Sequence, residues 1–176
     1  MSNIHKIIKT DISPKSKRGQ GMVIHYNIIP SVYGDIIVGQ SEYGLCWVGF
    51  TTHDGETKMK SFFPKADFIT SDLQIDSNSI LFESTNIHLC GTAMQINVWE
   101  ALLNVASGKT STYGDVARTI KKPTAYRAVG SAVGANPLSV IVPCHRILGA
   151  NGNVNHYGWG TNKKKNLLKS EGVNIK

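Results

Sequence analysis

The sequence predicts an α+β fold in which a small strand-rich lobe precedes a mostly helical one. Short runs of β-branched and aromatic residues dominate before residue 90, apolar residues recur at helical spacing after it, and charge divides along the same line. Residues 1–90 carry eight Lys and Arg against nine Asp and Glu, whereas residues 91–176 carry eleven against three. The basic excess therefore belongs to the second half. It points to a nucleic-acid-facing lobe beside a near-neutral one, with a solvated surface that is merely basic as the alternative. A chain of 176 residues can bury one core or two small ones. Nothing in it is long and apolar enough to span a membrane, and the polar, basic start has no signal-peptide core. Cys46, Cys90 and Cys144 are odd in number and widely spaced. They suggest neither a disulfide framework nor a zinc site, so a reducing compartment is expected, with no metal and no cofactor.

Residues 1–21 are lysine-rich and broken by Pro14, Gly19 and Gly21, and are expected to form a mobile leader. Val23–Ile29, Asp35–Gln40 and Leu45–Thr51 read as three strands of an antiparallel meander, with turns between them. Cys46 falls in the third strand as a small apolar core residue. Gly55–Phe63 is a short helix ended by Pro64. The stretch 67–85 is polar and weakly patterned, with at most a helical turn near Ile80–Glu83, and Asn86–Cys90 is a last strand. The first lobe, residues 22–90, carries no recognisable chemistry and serves as support, with the boundary near Gly91.

In residues 91–176, Thr92 caps a helix whose Met94, Val98, Trp99, Leu102, Leu103 and Ala106 keep helical spacing. Thr112–Ile120 and Thr124–Ala135 are two further helices across the Lys121-Lys122-Pro123 break, a helix-turn-helix candidate. The second of these is rich in Ala and Gly. Such a slim helix suits either the narrow minor groove or close helix–helix packing. Asn136-Pro137 breaks it and leads into a strand over 138–142. The glycine-rich run 149–160 holds Asn155, His156, Tyr157 and Trp159, a composition that suits a flat heterocycle, though a plain surface loop has the same one. Thr161–Glu171 closes as a helix, with Lys163–Lys165 expected outside, Leu167 and Leu168 inside, and Gly172 as its stop.

The stretch Ile141-Val142-Pro143-Cys144-His145-Arg146-Ile147-Leu148 sets a thiol, an imidazole and a guanidinium in succession among aliphatic residues. Burying all three is costly unless they satisfy one another or a partner. A packed core thiol beside a satisfied core histidine is the ordinary reading. Against it, Pro143 interrupts the strand, and Arg146 adds a fixed charge that few cores tolerate. Read as chemistry, the strand ends by presenting a thiol with a base beside it. Adjacent residues of a strand point oppositely, so that relay requires a turn at Cys144 or a bridging water. Glu171 stands in the last turn of the final helix, where a carboxylate opposes the helix dipole unless a partner offsets it.

Pro-Cys-His-Arg among aliphatics resembles the active-site signature of the O6-alkylguanine-DNA alkyltransferases, and the likeness runs from about Tyr26 to Gly172. It is greatest to the alkyltransferase half of Ada and to Ogt-type proteins. Gly91-Thr92 and Val98-Trp99 also match the family pattern. The resemblance implies an RNase H-like first lobe and single-turnover transfer of an alkyl group from O6-alkylguanine, and from O4-alkylthymine, in double-stranded DNA to Cys144. By the same resemblance His145 is the base, Glu171 orients it, and Tyr113 donates a proton to the leaving guanine. Arg127 is the finger that fills the stack when the base is flipped, and Thr124, Tyr126, Ala128 and Arg146 join it against the DNA minor groove. Tyr157, Gly158, Trp159, Ile147 and Asn136 form the pocket. The protein is then expected to be a monomer, cytoplasmic if bacterial and nuclear if eukaryotic. A lesion-binding protein without transfer, a cysteine hydrolase and a sequence-specific transcription factor are the rival classes. The presence of Cys144, the adjacency of His145 and the bare recognition helix count against them in turn.

Overall fold

The computed structural model describes residues 4–52, 54–82, 85–154 and 156–175, with the side chains of residues 4, 5 and 82 outside that description. Asn155 of the glycine-rich loop and Glu83 of the expected helical turn therefore lie outside it. The described residues form two compact units, residues 4–96 with 137–141, and residues 97–136 with 142–175.

The first unit is built on a mixed sheet of six strands. Its centre is the expected antiparallel meander of β2 (Val23–Ile29), β3 (Ile36–Ser41) and β4 (Gly44–Phe50). Parallel strands extend it on both sides: β6 (Thr85–Gly91) beside β4, β1 (Ile4–Asp11) beside β6, and β5 (Asp67–Thr70) beside β2. Two expectations are corrected here. The sheet is larger than three strands, and the start of the supposed mobile leader is a strand, registered with Ile7 opposite Ile87. Parallel pairing joins segments some eighty residues apart and leaves no local turn to read in the sequence. Ile24, Val38, Leu45, Met59, Phe63, Ile87 and Leu89 are buried in this unit's core, together with Cys46 and Cys90. Burial pushes both thiols up, Cys90 to about 12. The helices α1 (Gly55–Phe62) and α2 (Ser77–Phe82) complete the unit.

The division between units falls at 96/97, inside α3 (Ala93–Leu103), rather than at the expected Gly91. The expected strand at 138–142 is also absent. Leu138 makes a single bridge to Val48, with Val48 N–H donating to Pro137 O at 2.8 Å and Ser139 N–H to Val48 O at 2.9 Å. Val140 then turns away at φ 72°, a left-handed conformation that β-branched residues rarely adopt. The chain thus enters the cysteine segment from a turn.

In the second unit, β7 (Ser111–Thr112) pairs in parallel with β8 (Ile147–Leu148) and leads directly into α4 (Tyr113–Thr119). Thr112 and Asp115 form a reciprocal capping box that fixes the first turn of α4 and hence Tyr113. Lys121, at φ 57°, makes the turn into α5 (Tyr126–Gly134), which packs on α4. The α5 residues Val129, Ala132 and Val133 are buried while Tyr126, Arg127 and Ala128 are exposed, so the helix turns the face bearing these three outward. The last helix is α6 (Thr161–Ser170), which buries Leu167 and Leu168 as expected and ends at Gly172 with φ 78°.

Candidate active site

Pro143 starts a single turn of 3-10 helix, Cys144–Arg146, in place of the tip of a strand. Cys144 N–H donates to Val142 O at 2.8 Å, and Arg146 N–H to Pro143 O at 3.0 Å. The turn at Cys144 that a relay to His145 requires is therefore present. Cys144 is 7% exposed and His145 fully buried.

The sulfur is held by Asn136, whose Nδ2 donates to Val142 O at 2.7 Å and to Cys144 Sγ at 3.0 Å. Burial pushes the Cys144 thiol up. The Asn136 amide, the nearby Lys164 charge and backbone groups of Cys144 and His145 oppose that rise by favouring the thiolate. Tyr113, half-buried at the start of α4, has its phenol pushed up by burial and by the adjacent Cys144.

His145 and Cys144 do not bond directly. The ring Nε2 lies 2.9 Å from Glu171 Oε1, and Nδ1 is buried with no hydrogen-bond partner among the described residues. Burial alone would raise the Glu171 carboxyl, but hydrogen bonds from His145 and Arg146, and their charge, hold it down at about 2. An ionised carboxylate only accepts, so Nε2 carries the proton. Burial in turn lowers the imidazole, against the pull of Glu171, so the ring is neutral at neutral pH and its Nδ1 is a free base.

Arg146 departs from its expected role against DNA. It forks onto Glu171, with Nε at 2.9 Å from Oε2 and a terminal nitrogen at 2.7 Å from Oε1, while its other terminal nitrogen donates to Val105 O at 2.5 Å. The carboxylate at the end of α6 thus has the partner that its unfavourable place in the helix dipole demands. Arg146 belongs to the framework behind the histidine.

Lys164 was expected outside and is 1% exposed. Its Nζ donates to Ile147 O at 2.5 Å, and burial lowers it to about 8 against the pull of the Cys144 sulfur. Its position was legible from spacing, because it lies three and four residues before Leu167 and Leu168 on the face that α6 buries.

Three comparisons bear on this arrangement. The family model for the 6-O-methylguanine DNA methyltransferase DNA-binding domain matches residues 93–173. A methylated-DNA–protein-cysteine methyltransferase of Methanosarcina mazei is 36% identical over 162 residues, which is 87% of this chain and all of that protein. This chain belongs to the methylated-DNA–protein-cysteine methyltransferase family. The regulatory protein Ada of Salmonella typhimurium is 35% identical over 168 residues, 88% of this chain but 47% of that protein. The chain therefore spans about half the length of the Ada proteins it matches. Among solved structures, OGT of Mycobacterium tuberculosis in complex with DNA superposes with a TM-score of 0.68 at 31% identity, covering 84% of this chain and 93% of that one.

Set against this family, the expected site residues other than Arg146 fall into three groups in the second unit. Asn136 bonds the Cys144 sulfur and Tyr113 feels its charge, while His145 pairs with Glu171 and Ile147 is buried with its carbonyl taken by Lys164. Thr124, Tyr126, Arg127 and Ala128 are exposed at the start of α5, where the Arg127 guanidinium carbon stands 5.8 Å from the Tyr126 ring centroid. Tyr157 and Trp159 are half-buried and Gly158 is exposed in the loop before α6. Among the described residues no cluster of three or more His, Cys, Asp or Glu is placed to hold a metal, and no helix is long and apolar enough to cross a membrane.

Proposed function

We propose that this chain repairs DNA by moving an alkyl group from O6 of guanine to Cys144 in one irreversible step. The observation that carries the reading is the held sulfur of Cys144. An amide and a nearby ammonium favour its thiolate, and a neutral histidine with a free Nδ1 follows it in the chain.

His145 Nδ1 takes the thiol proton through one bridging water, and the resulting imidazolium is offset by Glu171, itself held by Arg146. The thiolate attacks the alkyl carbon, the carbon–O6 bond breaks, and its electron pair passes to the guanine as the S–C bond forms. Tyr113 gives a proton to that developing charge and recovers one from the imidazolium. Atoms and charge balance with no cofactor. O6 is out of reach inside a duplex, so the base must leave the stack at a cost of a few kcal/mol. The exposed start of α5 lies against the minor groove, Arg127 fills the gap with its planar guanidinium, and the 157–159 loop walls the flipped base. A thioether is a poor leaving group, so each molecule acts once.

Intact-protein mass spectrometry after incubation with DNA carrying O6-methylguanine tests this. One methyl group gained on Cys144, and none in Cys144→Ala, is the expected result. Lesion binding with no mass gain would leave a recognition protein without transfer.

A further inference from the structure

Trp99 belongs to the second unit, is fully buried, and has no part in the transfer just described. Its indole Nε1 donates to Ala132 O at 2.8 Å. That carbonyl lies in the last turn of α5, where carbonyls lose their helical partners. In a helix that ran on, Ala132 O would accept from Asn136 N–H. Here Asn136 N–H turns to Val133 O at 3.3 Å, and Ala132 O receives Ala135 N–H at a long 3.2 Å. The indole therefore caps the helix at the point where the chain leaves it, and the residue that follows is Asn136. The Asn136 side chain reaches Cys144 Sγ.

We propose that Trp99 is a positioning residue for the alkyl transfer: its N–H fixes the C-terminal end of α5 and, through Asn136, the amide that holds the Cys144 sulfur. Any buried indole N–H needs an acceptor, and the one it meets here is the carbonyl whose helical backbone donor has turned away. The inference rests on the reading of Cys144 as alkyl acceptor, but its test does not use the alkyl reaction.

The readout is the pH profile of Cys144 modification by iodoacetamide, followed at that residue by peptide mass spectrometry in the full chain. Trp99→Phe keeps an aromatic ring and removes the donor. A looser Asn136 favours the thiolate less, so the profile shifts up by about half to one pH unit. That is roughly a three- to tenfold lower rate on its rising limb. Asn136→Ala gives a shift of the same sign, and Trp99→Phe adds nothing further in its presence, the mark of two residues acting in series. Should Trp99→Phe fold poorly by circular dichroism, the benzothienylalanine analogue at position 99 removes only the N–H from an isosteric ring. A wild-type profile in a folded variant, or shifts that add in the double variant, overturns the proposal. A wild-type protein that takes no methyl from DNA overturns the repair reading instead, and leaves the thiol profile to judge Trp99 separately.

Discussion

Glu171→Gln removes one charge from a cluster in which every partner is visible. The carboxylate receives His145 Nε2 and two Arg146 nitrogens, and it is held at about 2 against an ordinary 4.5. At about 1.4 kcal/mol per pH unit, that difference corresponds to at most about 3.5 kcal/mol of folding stability. The Glu171 side chain is 10% exposed, so solvent takes back part of it. A loss of about 2–3 kcal/mol at pH 7 is expected, since Gln keeps the shape and an acceptor but leaves the Arg146 charge uncompensated. The folded pKa lies below the unfolded one, so the contribution is complete above about 4.5 and fades as pH falls toward 2. Urea unfolding of wild type and variant at pH 7, 5, 4 and 3 measures it. The gap between them should hold from pH 7 to 5, narrow at 4, and be reduced by well over half at 3. A gap that stays constant down to pH 3, or that is under about 0.5 kcal/mol at pH 7, refutes the ion-pair account of Glu171.

Tyr113→Phe should slow methyl transfer from duplex DNA by roughly 10²-fold, the scale of a lost general acid, while iodoacetamide modification of Cys144 at pH 7 changes little. Equal losses in both assays would make Tyr113 a packing residue. Arg127→Ala should reduce transfer from duplex DNA far more than transfer from a free O6-alkylguanine base, because only the duplex needs its stack filled; equal losses would remove the finger role. Lys164→Met, close in length and uncharged, should shift the Cys144 pH profile upward, since the ammonium is among the groups that favour the thiolate. An unmoved profile would confine Lys164 to holding Ile147 O.

How legible the site was in the sequence depended on the kind of interaction. Cys144, His145 and Glu171 could be named because adjacent residues and a known signature carry them, and the helix dipole already demanded a partner for Glu171. That the partner would be Arg146 was hidden, because its fork reaches a residue 25 positions away and the turn that aims it is set by Pro143 and Val140. Lys164 was misplaced for a simpler reason: three consecutive lysines read as a solvated run, although the helical period set by Leu167 and Leu168 puts the middle one inside. In the first unit the meander could be read from its turns. Strands β1 and β5 could not, since each is held by a parallel neighbour far along the chain.

The thiol's burial looks at first like an argument against its chemistry, since desolvation raises its pKa and a neutral thiol is a poor nucleophile. For the proposed acceptor, which would work once, the same burial has a different value. A resting thiolate exposed to solvent would be lost to oxidants and stray electrophiles, and a lost molecule is not recovered. Keeping the sulfur protonated until a base and a lesion are both in place costs only a proton transfer at the moment of reaction. In the proposed mechanism Asn136 and Lys164 favour the thiolate, and His145 has an open nitrogen to receive its proton. Within that proposal Arg146 bears on timing as well as structure. With Glu171 already paired, the imidazole is not driven to its charged form in advance, and Nδ1 stays available as a base until the thiol gives up its proton.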